Sequence, residues 1–259
     1  EQEIIFDQNL SDVPATNPYV ILSGYSRGID GNLTNLPINY LVEDDTVARI
    51  LVTRKEQLTG YWKLDESVYA GAKDESTNYN GSLFDLPTTG SNNAWQDGLF
   101  GNALSLGVTQ GRVDFGTVSF DSNFTISFWI RPKDLDSNQS RILSKIGIPG
   151  MNVFEINKSD HNGSIEVSPY LDGFTKQKIV SSNSSRLTEN QWTNITLTYE
   201  DVNGTFSLYT DSDLVDTSAG HYFTGTPLSS RFTSMVLGGT YLPIYGIIDD
   251  LRVYNECLA

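Results

Sequence analysis

Apolar residues along this chain recur mostly at every second position, in short runs separated by clusters of Gly, Asn, Asp, Ser and Pro. Alternation of this kind marks half-buried strands, and no long stretch keeps a helical period. The clearest run is FTISFWIRP, Phe124 to Pro132. Phe124, Ile126, Phe128 and Ile130 share one face and belong in a core, which leaves Trp129 out of phase with them. Two hairpins can be registered by matching apolar partners. Pairing Phe154 with Val167 also pairs Ile156 with Ile165, and the turn then falls in Ser159 to Asn162. Pairing Tyr199 with Phe206 also pairs Leu197 with Leu208 and leaves Asp201 to Gly204 as the loop. A slip of one residue would turn each apolar set outward, so matching at two positions carries weight. Many short strands with regular turn signals predict an all-β, two-sheet sandwich or jelly roll.

Residues 1–58 differ in character. Ile4–Phe6, Tyr19–Ser23 and Val47–Thr53 read as strands, but Pro14, Pro18 and Pro37 interrupt the region. This segment is a small β subdomain, the tail of a preceding module or an extension packed on the main domain. The main domain is expected over residues 59–259.

Charge narrows the choice of partner. With 17 basic and 32 acidic residues the net charge is −15, which argues against nucleic acid, whose binding depends on neutralising phosphates. No apolar run is long enough to insert in a membrane. A single cysteine, Cys257, excludes an internal disulfide and a Cys-based zinc site. Only His161 and His221 are present, without nucleophile–base spacing. Asn-x-Ser/Thr acceptors are more frequent than composition predicts, although several coincide with Asn-Gly turns.

From Gly60 onward the order of motifs becomes informative. GYWKLDES is followed by DESTNYNGSL, DGLFGNALSL, NFTISFWIRP, NQWTNITLTYE, NGTFSLYTD and GIIDDLRVYN. This series resembles the laminin-G-like, concanavalin A-like jelly-roll family. Two positions depart from the family pattern, Thr77 and Ser212, where turn glycines are usual. The resemblance implies a secreted or cell-surface domain. Its fold hosts binding modules, adhesins and enzymes alike, so function must be argued from sites.

Chemistry concentrates first at Asp249. Strict alternation through GIIDDLRVYN places Ile247, Asp249, Leu251 and Val253 on one face. If that face is core, Asp249 buries a carboxylate, which needs a cation or several donors. Calcium suits carboxylate and amide oxygens, and Asp65 or Glu66 with Asp74 and Asn78 complete the expected set. Related jelly-roll glucanases hold a structural calcium through an Asp in a similar last-strand motif, so the resemblance implies an ion joining the chain ends of the domain. The competing reading has Asp249 pair with Arg252 or cap a turn, and makes Asp74 the start of an Asx-turn.

Sugar recognition calls for aromatic plates beside polar side chains. Trp62, Trp95 and Trp192 lie inside the matching motifs and are expected to pack, while Trp129 lines an open face or is covered by residues 1–58. Tyr170, Phe174, Tyr222, Tyr241 and Tyr245, with Phe223, fall in loop-like text and are the candidate ligand contacts. In the hairpin register above, Glu155 faces Glu166, the one pair that suits a polysaccharide-cleaving enzyme. The clustered Glu-x-Asp-x-x-Glu pattern of jelly-roll glucanases is missing. The expectation is therefore a non-catalytic module for a glycan or an extracellular protein. A structural or adhesive domain on a cell or virion is the alternative, and a glycosidase stands behind both.

Overall fold

The computed structural model describes residues 58–76, 78–107, 111–119, 123–136, 139–147, 152–159, 162–171, 175–176, 179–180, 185–219, 232–239 and 244–258, together with four strands before residue 58. The chain divides into two compact units, Glu1–Gln57 and Leu58–Ala259. In the first, β1 (Glu3–Phe6), β2 (Tyr19–Arg27), β3 (Leu33–Glu43) and β4 (Val47–Val52) form an antiparallel meander in that order. The sequence did not announce β3, because Pro37 lies inside it. Pro37 pairs with Ser23 of β2 but lies just past Ile38↔Val52, the last pair with β4, so its missing N–H interrupts no continuous central ladder.

The second unit contains β5 (Leu58–Trp62), β6 (Gly71–Ala72), β7 (Gly81–Phe84), β8 (Trp95–Asp97), β9 (Asn102–Ser105), β10 (Arg112–Asp114) and β11 (Phe124–Pro132). It continues with β12 (Ser140–Gly147), β13 (Asn152–Lys158), β14 (Ile165–Leu171), β15 (Thr175–Lys176), β16 (Ile179–Val180) and β17 (Thr193–Glu200). The last strands are β18 (Thr205–Thr210), β19 (Asp213–Ala219), β20 (Phe232–Gly238) and β21 (Gly246–Tyr254). One antiparallel sheet runs β15-β14-β13-β12-β20-β10-β7-β6, with β16 also on β14. The other runs β19-β18-β17-β11-β21-β9-β8, with β5 also on β21. The two make a jelly-roll sandwich, and among the described residues every regular element is a strand.

Strand phase explains the core. Phe124, Ile126, Phe128 and Ile130 are fully buried, as the alternation of β11 predicts. Aromatic rings join the sheets: Phe124 stacks on Phe154 of the opposite sheet and on Tyr199, each at 5.5 Å between ring centres. Burial of each such ring contributes about 1.5–3 kcal/mol. The β17–β18 hairpin has the expected register, Tyr199↔Phe206 and Leu197↔Leu208, with Gly204 in the left-handed region at φ 61°.

The β13–β14 hairpin differs from expectation by two residues. Phe154 pairs with Pro169 and Ile156 with Val167, and the ladder closes at Lys158↔Ile165. Both registers match apolar to apolar, since a two-residue shift preserves the faces. The connection decides between them. Ser159 N–H donates to the Ser164 carbonyl at 2.8 Å, and the Gly163 carbonyl accepts from Leu187 N–H at 2.9 Å instead of joining the ladder. Glu155 consequently faces Ser168, and Glu166 faces Asn157.

Candidate functional site

Asp249 lies next to a bulge that the sequence did not reveal. Between the pairs Ser127↔Arg252 and Trp129↔Asp249, two residues of β21, Asp250 and Leu251, oppose Phe128 alone. Asp250 accommodates the extra residue at φ 53°. Phase reverses there, so Asp249 does not share a face with Leu251 and Val253. It lies opposite Trp129, on the face turned away from the core.

It is nevertheless fully buried, because the β8–β9 connection folds over it. Leu99 and Phe100 N–H donate to Asp249 Oδ2 at 2.7 and 3.0 Å. The Phe100 ring meets Trp129 edge-on at 6.2 Å, which covers part of the ring whose phase was anomalous. Close approach needs glycine at position 98, where a Cβ would come within 2.6 Å of the Asn102 carbonyl oxygen and 2.7 Å of Asp249 Oδ2. Gly101 is at φ 75°, and a Cβ there would collide with Asp65 Oδ1. Asp249 Oδ1 is buried and has no hydrogen-bond partner. Burial pushes the Asp249 pKa up to about 8; the charges of Asp250 and Asp65 add to the rise, and the two N–H groups oppose it.

The other expected metal ligands divide. Asp65, on the β5–β6 connection, bonds the end of that loop: its Oδ1 accepts Asn102 N–H at 2.9 Å and its carbonyl accepts Asn102 Nδ2 at 3.1 Å. Asp74 does not. Its Oδ1 accepts the N–H groups of Tyr61 and Ser76, and its Oδ2 accepts the Ser76 hydroxyl and the N–H groups of Asn78 and Tyr79. Burial raises its pKa, but these donors outweigh burial and hold it below the usual carboxylate range. Asp74 bridges Trp62 on the side of β5 away from β21, and Asn78 is exposed. Expecting Asp74 and Asn78 beside Asp249 is thus corrected: Asp74 staples its own loop, as the Asx-turn alternative held. Arg252 pairs with Asp250 at 2.7 Å, so it is not the partner of Asp249, whose Oδ2 instead caps the β8–β9 turn, the other branch of the competing reading. Among the described residues, the acidic trio whose oxygens lie within 4.8 Å of one another is Asp134, Asp136 and Glu189, a cluster missed in the sequence.

Of the expected sugar contacts, Tyr245 is half-buried, and its carbonyl accepts Lys133 N–H at 2.8 Å. Tyr170 pairs through its backbone with Lys176. The Tyr170 side chain, Phe174, Tyr222, Phe223 and Tyr241 lie outside the described residues. Trp62 and Trp95 pack as expected and donate Nε1–H to the Tyr79 and Tyr69 carbonyls at 2.7 and 2.8 Å. Glu155 and Glu166, only 4% and 5% exposed, belong to a polar row on the outward face of the larger sheet. Arg141 Nη2 reaches Glu155 Oε1 at 2.5 Å, and Ser168 Oγ donates to Glu166 Oε1 at 2.8 Å.

This architecture has known counterparts. Domain 4 of AbnA, an extracellular GH43 arabinanase from Geobacillus stearothermophilus solved in complex with arabinotriose, superposes with TM-score 0.57 at 17% identity, covering 78% of this chain and 94% of that one. The ligand-binding domain of botulinum neurotoxin serotype D, in complex with N-acetylneuraminic acid, gives TM-score 0.57 at 17% identity over 79% of this chain. The binding domain of Paraclostridial Mosquitocidal Protein 1 gives 0.59 at 18% over 79%. This chain spans about half of each toxin domain, 48% and 50%. Compared by sequence with curated proteins, it has no match. Residues 106–259 match the profile of the concanavalin A-like lectin/glucanases superfamily, and the chain belongs to that family.

Proposed function

We propose that this chain is a non-catalytic, extracellular carbohydrate-binding module with a structural calcium ion at Asp249. The Arg141–Glu155 ion pair carries the binding reading over a catalytic one. A glycosidase needs two carboxyl groups that divide acid and nucleophile or base roles. Here Glu155 is committed to a guanidinium and Glu166 to a serine hydroxyl, across strands that do not set them face to face. The glycan complexes of two structural counterparts support carbohydrate as the ligand class. On a glycan array the chain is expected to bind saturably, and it is expected to release no reducing ends from the bound polysaccharide. Release that Glu155→Gln abolishes would overturn the reading; absence of all glycan binding would leave a structural or adhesive role.

The calcium reading is supported by Asp249 Oδ1, a buried oxygen without a donor. Leaving such a group bare costs about 1–3 kcal/mol or more, and a hard cation with oxygen ligands relieves it. Asp249 would hold the ion, with Asp65, which bonds the same β8–β9 connection through Asn102, as the second carboxylate. The ion would supply charge neutralisation and rigidity. Chelator is expected to lower the Tm of the native chain, and Asp249→Ala to abolish that sensitivity. An unchanged native melt under chelator would remove calcium from the account.

A further inference from the structure

An open cleft of about 700 Å³ lies at the β6 edge of the larger sheet. Its wall includes Glu66, Tyr69, Gly71, Lys73, Asn80 and Ser82, so one short stretch of chain builds it. We propose that this cleft is a subsite for a neutral saccharide, with the Tyr69 ring as its stacking plate and the Glu66 carboxylate as its hydroxyl acceptor. The proposal rests on the carbohydrate-binding reading and gives it a location and a ligand class.

Tyr69 is 67% exposed, beside Val68 at 68%, so its ring is open to a ligand. Its backbone is nevertheless fixed. Trp95 Nε1 donates to the Tyr69 carbonyl at 2.8 Å, and Asn93 Nδ2 donates to the Ser67 carbonyl at 2.6 Å. A ring presented on a pinned loop loses little conformational freedom when it stacks. The ring lies close against the sheet edge: a Cβ on Gly71 would come within 3.0 Å of Tyr69 Cε1 and of the Gly81 carbonyl oxygen.

Polar groups stand beside the plate. Glu66 Oε1 accepts Lys73 N–H at 2.6 Å, while Glu66 Oε2 is screened from water and has no donor in the protein. A sugar hydroxyl entering the cleft can supply that bond after a small side-chain adjustment, and Asn80 and Ser82 offer further polar contacts. Charge selects the ligand class. Glu66 and Asp74 contribute two carboxylates, whereas the Lys73 ammonium is already paired with Glu75 at 3.1 Å. An acidic sugar would be repelled, in a chain whose net charge is −15.

The test is amide chemical-shift mapping of the full chain titrated with arabinotriose, cellotriose, maltotriose and N-acetylneuraminic acid. A neutral trisaccharide is expected to shift the amides of 69–73 and 80–82, while N-acetylneuraminic acid leaves them unmoved. Tyr69→Ala should weaken that binding by about tenfold or more, about 1.4 kcal/mol, whereas Tyr69→Phe retains it. Glu66→Gln keeps the bond from Lys73 N–H and should weaken binding without lowering Tm. Neutral sugar binding with shifts elsewhere, or with unchanged affinity in Tyr69→Ala, overturns this subsite and leaves the carbohydrate reading standing. Preference for the acidic sugar at the cleft overturns the ligand class. If none of the probes binds, the subsite falls; if a glycan array is blank as well, the carbohydrate reading falls with it.

Discussion

Asp74 and Asp249 show how little a residue's identity says about its charge state. Both are buried aspartates expected at one cation site, yet five donors saturate the first and two N–H groups satisfy only half of the second. The motif DESTNYNG contained the answer for Asp74, since an Asp followed by Ser and Asn in a tight loop is an Asx-turn signature. Nothing in the residues flanking Asp249 indicated that Leu99 and Phe100 would cap it. Lys145 was equally illegible. It is fully buried, donates from Nζ to the Val118 carbonyl at 2.6 Å, and burial lowers its pKa to about 7, opposed by the Asp114 charge. The sign follows from linkage: between about 7 and the ordinary 10.5 the unfolded lysine holds a proton that the folded one has released, so stability rises with pH across that window. Urea unfolding at several pH values should show a positive slope of at most about 1.4 kcal/mol per pH unit, which Lys145→Met flattens.

At the scale of elements, alternation determined faces well and offsets poorly. The β11 core face and the β17–β18 register follow directly from the residues. The β13–β14 offset and the β21 bulge do not, because apolar matching is blind to a two-residue shift and a bulge leaves no compositional mark when Asp250 rather than Gly takes the positive φ. DGLFGN did carry a signal, two glycines bracketing a hairpin turn, but its reason is visible only against Asp249 and Asp65. Gly98→Ala is accordingly expected to destabilise the chain by about 2 kcal/mol and to blunt its response to chelator together, as thermal melts with and without chelator would show. The cleft beside Tyr69 went unpredicted although this ring, like the candidate plates, lies outside the matching motifs; what singles it out is the pinning of its loop by Trp95 and Asn93, which no local pattern announces.

At the scale of the molecule, the sandwich was readable because seven weak motifs occur in the order that one topology requires. Which surface is used was not, since it depends on what lies over each sheet. The unit Leu58–Ala259 has its own core, with Trp62 of its first strand fully buried. A chain starting at Leu58 is therefore expected to keep its β-type circular dichroism and a cooperative melt within a few degrees of the full chain; loss of cooperativity would show that Glu1–Gln57 is required. The pairing of β5 with β21 has a mechanical consequence. Leu58 faces Tyr254 and Trp62 faces Leu251, so the strands enter and leave the sandwich side by side. A pull on both ends would load these bonds one at a time, like a zipper, starting at Leu58–Tyr254. The opening would then run into the bulge at Asp250 and the loop clasping Asp249, which would act as the first catch against tension.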